Sequence, residues 1–291
     1  MCSRFIFLLT VFSCLYVSST YALADTATFK TPRPLIMGVK TSHIDGAKIA
    51  DSDYKLAISS ASIKLPLGKY DVLGQTFVPQ VAIEQTRFNI PNPNFDQKNM
   101  YTIKLPMLFI EQYDQNWTRI LNITPSWHTD LKAKDEESYS LMGLLLWRYK
   151  DDSPHSYTMG VGVNRLFGEY KPVPMGAYSY QASAQTRYDL GFPATKVEHR
   201  GHQNWSVFSS IAPMGGNWRY ESPAQTRVNL SYRSWVATFG VRRNLVEKFW
   251  LTFEAGRTFS RKLDLNNNTS DSQEVDISDA NIIMLSIGLH P

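Results

Sequence analysis

Apolar and polar residues alternate with a period of two along most of the chain. Tyr101, Ile103, Leu105, Met107 and Phe109 share one face, opposite Thr102 and Lys104. Tyr157, Met159, Val161 and Val163 oppose Thr158, Gly160, Gly162 and Asn164, and Phe249, Leu251, Phe253 and Ala255 oppose Thr252, Glu254 and Gly256. Near the C-terminus Ile283, Leu285, Ile287 and Leu289 oppose Met284, Ser286 and Gly288. Successive side chains of a strand point to opposite faces, so each segment predicts a strand with one apolar face. Weaker alternation predicts further strands around residues 35–42, 54–65, 77–86, 121–130, 173–181, 187–192, 204–211, 227–233 and 235–243. Residues 140–149 are apolar on both faces. The total is about 12 strands, with no sustained helical period. Turn signals separate them, as in Pro91-Asn92-Pro93-Asn94, Asp151-Asp152-Ser153-Pro154 and Gly215-Gly216-Asn217, and the acidic stretch 264–279 predicts a long exposed loop.

Such strands can turn their apolar faces inward, as a soluble sandwich, or outward to lipid, as a membrane barrel. The longer segments span nine to thirteen residues, the length a tilted strand needs to cross a bilayer. Aromatics flank the apolar faces, as Tyr101 with Phe109 and Tyr139 with Trp147 and Tyr149 do, where interfacial girdles sit. The polar faces are rich in Gly, Ser, Thr and Asn, which suits a narrow or wet interior. The expected fold is therefore all-β, a transmembrane antiparallel up-and-down β-barrel, with a secreted soluble β-protein as the alternative. A closed sheet pairs every backbone group that hydrocarbon would otherwise leave unsatisfied.

The N-terminus predicts export. Arg4 is the only charge among the first 24 residues, an apolar run begins at Phe5, and Ala22-Leu23-Ala24 is a small-x-small cleavage site. The expected domains are a signal peptide, 1–24, and an outer-membrane barrel, 25–291. Both cysteines, Cys2 and Cys14, fall in the signal, so the mature chain gains no disulfide from an oxidising compartment.

Composition fits this picture. Hydrophobic residues make up 43% of the 291 residues, too many for a disordered chain. Mean hydropathy is −0.27, which excludes a helical membrane protein. From Asp25 the chain carries 29 basic against 26 acidic residues, a net +3, and no basic run points to nucleic acid.

The order of Asn122-Ile123-Thr124-Pro125-Ser126-Trp127-His128-Thr129-Asp130, Gly160-Val161-Gly162-Val163, Pro172-Val173-Pro174-Met175-Gly176-Ala177-Tyr178, Leu190-Gly191-Phe192-Pro193 and Leu251-Thr252-Phe253-Glu254-Ala255-Gly256-Arg257 resembles an uncharacterised family of bacterial outer-membrane β-barrels, a domain of unknown function. The likeness spans most of residues 50–289. It implies a single barrel domain, and no activity. One departure is the C-terminus, Ile287-Gly288-Leu289-His290-Pro291, where such barrels generally end in an aromatic residue.

Candidate chemistry is sparse. No His-x-Ser pair of the barrel-lipase type occurs, and His202 and Ser206, placed on one strand face, stand about 13 Å apart, too far for proton transfer. His128 and Asp130 could share a face, without the further acidic pair that a barrel protease needs. His43, His155, His199 and His290 are scattered, with no metal-ligand spacing, and no cofactor motif appears. No catalytic residue is assigned and the chain is not expected to be an enzyme. The charged and polar positions expected to line a lumen are Glu84, Lys104, His128, Asp130, Arg148, Arg187, Asp189, Arg227, Arg233 and Glu254. Their mixed signs suit ion-pair networks in a narrow barrel, with a slight cationic excess from Arg187, Arg227 and Arg233 that would favour anions. Two functions stay open: a narrow channel for small solutes, or a structural or surface-interaction barrel without transport. The expected partners are outer-membrane lipid, the barrel-insertion machinery and small solutes.

Overall fold

The computed structural model describes residues 37–90, 98–164, 170–222, 226–246, 248–266 and 272–289. The expected signal peptide with both cysteines, and the last two residues, lie outside them. The described chain forms fourteen strands, three of them interrupted once. They are β1 (Met37–Lys48), β2 (Lys55–Pro66, resumed as Tyr70–Val72), β3 (Gln75–Asn89), β4 (Lys98–Lys104, resumed as Met107–Gln112), β5 (Trp117–Thr129), β6 (Tyr139–Lys150) and β7 (His155–Asn164). There follow β8 (Lys171–Gln181), β9 (Thr186–Phe192), β10 (Thr195–His202), β11 (Trp205–Glu221), β12 (Arg227–Val246), β13 (Phe249–Asn266) and β14 (Ser272–Ile277, resumed as Ala280–Leu289). Each pairs antiparallel with the next, and β14 pairs back onto β1 from Met37↔Leu289 to Ile44↔Ile282. The ring is closed, so no strand is left as a free edge along its whole length. Among the described residues the only helix is a single 3-10 turn, Glu136–Ser138.

The interruptions keep the ladder intact. Pro106 breaks β4 because it has no N–H, but Leu105 N–H donates to Pro125 O and Gln80 N–H to Pro106 O, at 3.0 and 2.8 Å. The sheet therefore passes the break without an orphaned donor there.

Alternation decides which face sees what. Tyr157, Met159, Val161, Phe239, Phe253, Ile283 and Leu285 all point outward and are exposed, whereas Ser156, Thr238, Thr252 and Met284, each next to one of them, are buried. Outward aromatics form two belts. Trp127 and Tyr139 stack at one level, 6.1 Å between centroids, while Trp117–Tyr149, Tyr157–Tyr178 and Phe77–Phe109 pair at the other. Along β6 the belts are separated by the ten-residue rise from Tyr139 to Tyr149, about 34 Å of strand, or about 26 Å of height at a tilt near 40°, close to the ~25 Å apolar band of outer-membrane barrels.

The two ends differ. At the turn end the described chain begins and finishes, and connections such as 73–74, 151–154 and 203–204 take two to four residues. At the loop end most connections are longer, as in 90–97 and 130–138. The predicted acidic loop 264–279 is mostly strand: β13 and β14 run on as a hairpin, pairing Arg261↔Ile277 through Asn266↔Ser272. Leu263 is buried within it, while Lys262 pairs with Glu274 outside, so the alternation continues beneath the charge. Residues 227–246, expected as two strands, form one, β12. β10 was not anticipated, because its inward positions are Lys196, Glu198 and Arg200.

Candidate functional site

The interior is stratified from the turn end to the loop end. The lower lumen holds a charged cluster on β6, β9, β10 and β12. Arg187 clamps Asp189 at 2.7 Å, and Ser179 donates to the same carboxylate at 2.5 Å. Lys196 and Arg242 reach opposite oxygens of Glu198, at 2.6 and 3.3 Å, and Ser206 donates to it at 2.8 Å. Both cations also lie over the Phe208 ring. Arg148 stands within electrostatic reach of Arg187 and Asp189. Four cations thus face two carboxylates, a net +2, on one side of the lumen. Beside Arg242, Thr238 of β12 donates to Glu254 of β13 at 3.1 Å, and on β3 and β4 Lys104 sits 4.0 Å from Glu84.

Above this, near the ends of β4, β5 and β6, lies a hydroxyl–imidazole chain. Trp218 Nε1 donates to Thr102 Oγ1 at 2.9 Å, and Thr102 meets His128 Nδ1 at 3.2 Å. His128 Nε2 meets Ser126 at 2.9 Å and Ser140 at 3.1 Å, and the two serines are 2.7 Å apart. The indole can only donate. When the Thr102 hydroxyl donates to Nδ1, the imidazole proton sits on Nε2 and points at the serines. In that tautomer Nε2 cannot take a serine proton, so the cluster reads as a chain of donors joining four strands, not as an activated nucleophile. The pair was overlooked in the sequence because the order is Ser-x-His. The signal that finds it is two polar residues at i, i+2 on one strand face.

The loop end is closed. Ile44, Leu56, Phe88, Met100, Trp218, Leu230, Tyr232, Ile282 and Met284 turn inward from opposite walls and bury one another. Phe88 meets the edges of Trp218 and Tyr232 at 5.3 and 6.3 Å. This crossing depends on β11, which bends at Gly215: its φ is 153°, and a Cβ there would stand 2.1 Å from Tyr232 O. Beyond the bend β11 reaches β5 across the lumen, where Arg219 forms a parallel bridge with Thr129.

A latch holds the crossing. Arg219, 5% exposed, binds Asp135 and Glu137 of the β5–β6 connection, both at 2.9 Å. Asn229 donates to Glu137 at 2.8 Å. Asp130 caps the same connection by accepting from Lys132 and Ala133 N–H, and its other oxygen accepts Glu221 N–H at 3.0 Å.

The expected lumen residues divide accordingly. Glu84, Lys104, His128, Arg148, Arg187, Asp189 and Glu254 occupy inward register positions. Asp130 lies past the end of β5, in the latch, and so does not share a strand face with His128. Arg227 and Arg233 fall on the other register, beside the buried Val228 and Tyr232; Arg227 reaches Asp135 and Arg233 binds Glu274. The cationic side of the lumen therefore rests on Arg148, Arg187, Lys196 and Arg242. His202 and Ser206 do not share a strand: the chain turns at 203–204, and Ser206 belongs to the Glu198 cluster. Among the described residues no group of His, Cys, Asp and Glu could hold a metal ion.

Residues 43–274 match the model of a family described as a domain of unknown function, DUF6268. No curated protein matches the sequence. Among solved structures the chain is similar to the COG4313 outer membrane channel from Pseudomonas putida F1, with 9% identity and a TM-score of 0.52 over 92% of this chain and 99% of that one. It is also similar to a deltaS2 mutant of the monoaromatic hydrocarbon channel TodX, with 9% identity and a TM-score of 0.38 over 88% and 90% of the two chains. At this identity the first likeness speaks to the fold, a barrel traced by nearly the whole of both chains.

Proposed function

The chain belongs to the DUF6268 family, and from that premise we propose that it is an outer-membrane β-barrel that passes small solutes through a narrow interior, closed at the loop end in the state described. The carrying observation is the charged lower lumen beneath an apolar plug. Paired charges alone would brace a narrow wall, but here the cations outnumber the carboxylates, an excess that suits anions passing the interior. The outward apolar band between two aromatic belts supports placement in the membrane, and the short turns with both ends of the described chain on one side support a periplasmic turn end. The signal segment expected at 1–24 supports export. Hydrogen bonding at Ser126, His128 and Ser140 favours a structural part in the wall, so we assign no catalysis.

Planar-bilayer recording of the purified full chain tests this reading. Brief, small openings, with anions passing more readily than cations, are expected from the latch and the cationic lumen. A folded, inserted protein that stays electrically silent and takes up no solute sinks it. That outcome leaves the second reading, a surface-interaction barrel, which the sealed loop end favours.

A further inference from the structure

We propose that the barrel has a side port in its wall, above the β9–β10 hairpin, and that it admits a small amphipathic anion. The proposal rests on the solute-passing reading and names the route and the cargo. The β7–β8 ladder continues up to Lys171↔Asn164 and the β11–β12 ladder up to Glu221↔Arg227. Between them the wall is low: β8 and β9 separate above Gly176↔Phe192, and β10 and β11 above Thr195↔Ile211. Among the described residues no strand lies along 171–175 of β8 or 212–218 of β11 on that side. Two missing strands over about five residues leave a notch roughly 15 Å along the strand and roughly 14 Å between the flanking strands.

A notch in lipid would orphan the backbone donors along its rims, at several kcal/mol each. Proline placement reduces that cost. Pro172 and Pro174 pair with Val163 and Val161 in an unbroken ladder. Odd-numbered residues of β8 donate toward β7, as Gln181 N–H does to Pro154 O. The ring nitrogens of Pro172 and Pro174 therefore face the notch. On the opposite rim Asn244 N–H donates to Asn204 O, so even-numbered positions of β11 pair with β12, and Pro213 also turns its nitrogen to the notch. Pro193 lies at the hairpin tip. Proline belongs on unpaired edges, and here it occupies both rims and the floor of one gap.

The surroundings select the cargo. Outside, Phe192 of the floor, 48% exposed, and Trp235, beside Pro213 of the rim, bring their rings to 6.4 Å across the lower part of the notch, level with the lipid-facing band. Inside, Val173 and Met175 of β8 face Ala212 and Met214 of β11, and the Met175 methyl lies over Gly162, where a Cβ would stand 2.7 Å away. Directly below, two residues down from Gly191, the same hairpin presents Arg187, Asp189, Lys196 and Glu198. A purely apolar solute makes no use of the cationic cluster, and a hydrophilic anion does not enter from the bilayer. An alkyl body with an anionic head fits both layers, the bend at Gly215 leading the inner mouth beneath the plug.

The test measures uptake of radiolabelled dodecanoate and 1-dodecanol by a Gram-negative host that lacks its own fatty-acid porter and expresses the full chain. Dodecanoate uptake is expected to rise over the empty host, and by about tenfold more than 1-dodecanol uptake does, the factor one charge-assisted contact represents. Val173→Trp and Ala212→Trp, each blocking the mouth from one rim, should return dodecanoate uptake to background while the protein still runs as a heat-modifiable barrel. Lys196→Gln with Arg187→Gln should lower dodecanoate uptake and leave 1-dodecanol unaffected. In the unmodified protein, a dodecanoate carrying a terminal diazirine should crosslink within 171–176 or 210–214, a readout that no variant's folding affects. Wild-type uptake by a folded blocked variant, or crosslinks confined to the loop-end connections, overturns the port and leaves the channel reading standing. Absence of both uptake and ionic conductance in the unmodified protein overturns the two together.

Discussion

The loop-end wall of β1–β4 and β11–β14 and the low wall of β8–β10 follow the same period-two alternation with opposite results. In the first, the inward positions are Ile44, Phe88, Trp218, Leu230 and Tyr232, which bury one another across the interior. In the second they are Ser179, Arg187, Asp189, Lys196 and Glu198, which pair with one another along the wall. Outside, both present apolar residues. The lesson is that the outward face reports the membrane, while the inward face alone reports whether a barrel is a plug or a passage.

The largest break in that contrast should come from Trp218→Ala. It removes the centre of the plug and the donor to Thr102, and a large-to-small change of this kind costs about 3–5 kcal/mol. The unfolding midpoint should fall, and bilayer recordings should show larger, longer openings than the parent protein. Val161→Arg probes the shared outward face. Val161 is 40% exposed at mid-height of the band, so in lipid the change should cost about 2–4 kcal/mol, whereas in water it would stay within about 0.5 kcal/mol. Chemical denaturation in lipid vesicles separates the two.

Glu198→Gln acts on the passage side. It leaves Lys196 and Arg242 without their carboxylate, raises the cluster to a net +3, and should cost about 1–3 kcal/mol. Reversal potentials under a salt gradient should shift toward anions, and unchanged selectivity would show that ions do not pass this cluster. The smallest effect belongs to the hairpin above the membrane band. There the hydrogen bond from Lys262 holds the Glu274 carboxyl below its ordinary value. A carboxyl depressed on folding stabilises at pH values above its unfolded pKa, and that contribution is lost as pH falls through the folded value. The pair is solvent-exposed, so Glu274→Gln should barely move the midpoint at neutral pH and should flatten its decline in acid.

Much of the architecture was legible in the alternation, because lipid and lumen impose opposite chemistry on successive residues. β10 was hidden because Lys196, Glu198 and Arg200 face the cluster and dilute its apolar side. The continuation of β13 and β14 was hidden by surface charge at Lys262, Glu274 and Asp276. The candidate site was legible only in part. Inward charges on regular strands could be named one by one, but their pairing depends on neighbours that the sequence does not order. The closure was out of reach: Trp218 meets Thr102 across 116 residues and Arg219 meets Asp135 across 84. No local pattern announces a contact across a lumen.

The central claim, a closed barrel in the outer membrane, is tested most directly by the electrophoretic mobility of the unboiled protein from isolated outer membranes. The account predicts that the protein fractionates with that membrane and runs as a compact band that shifts on boiling. A soluble periplasmic protein whose mobility is the same before and after heating would contradict it.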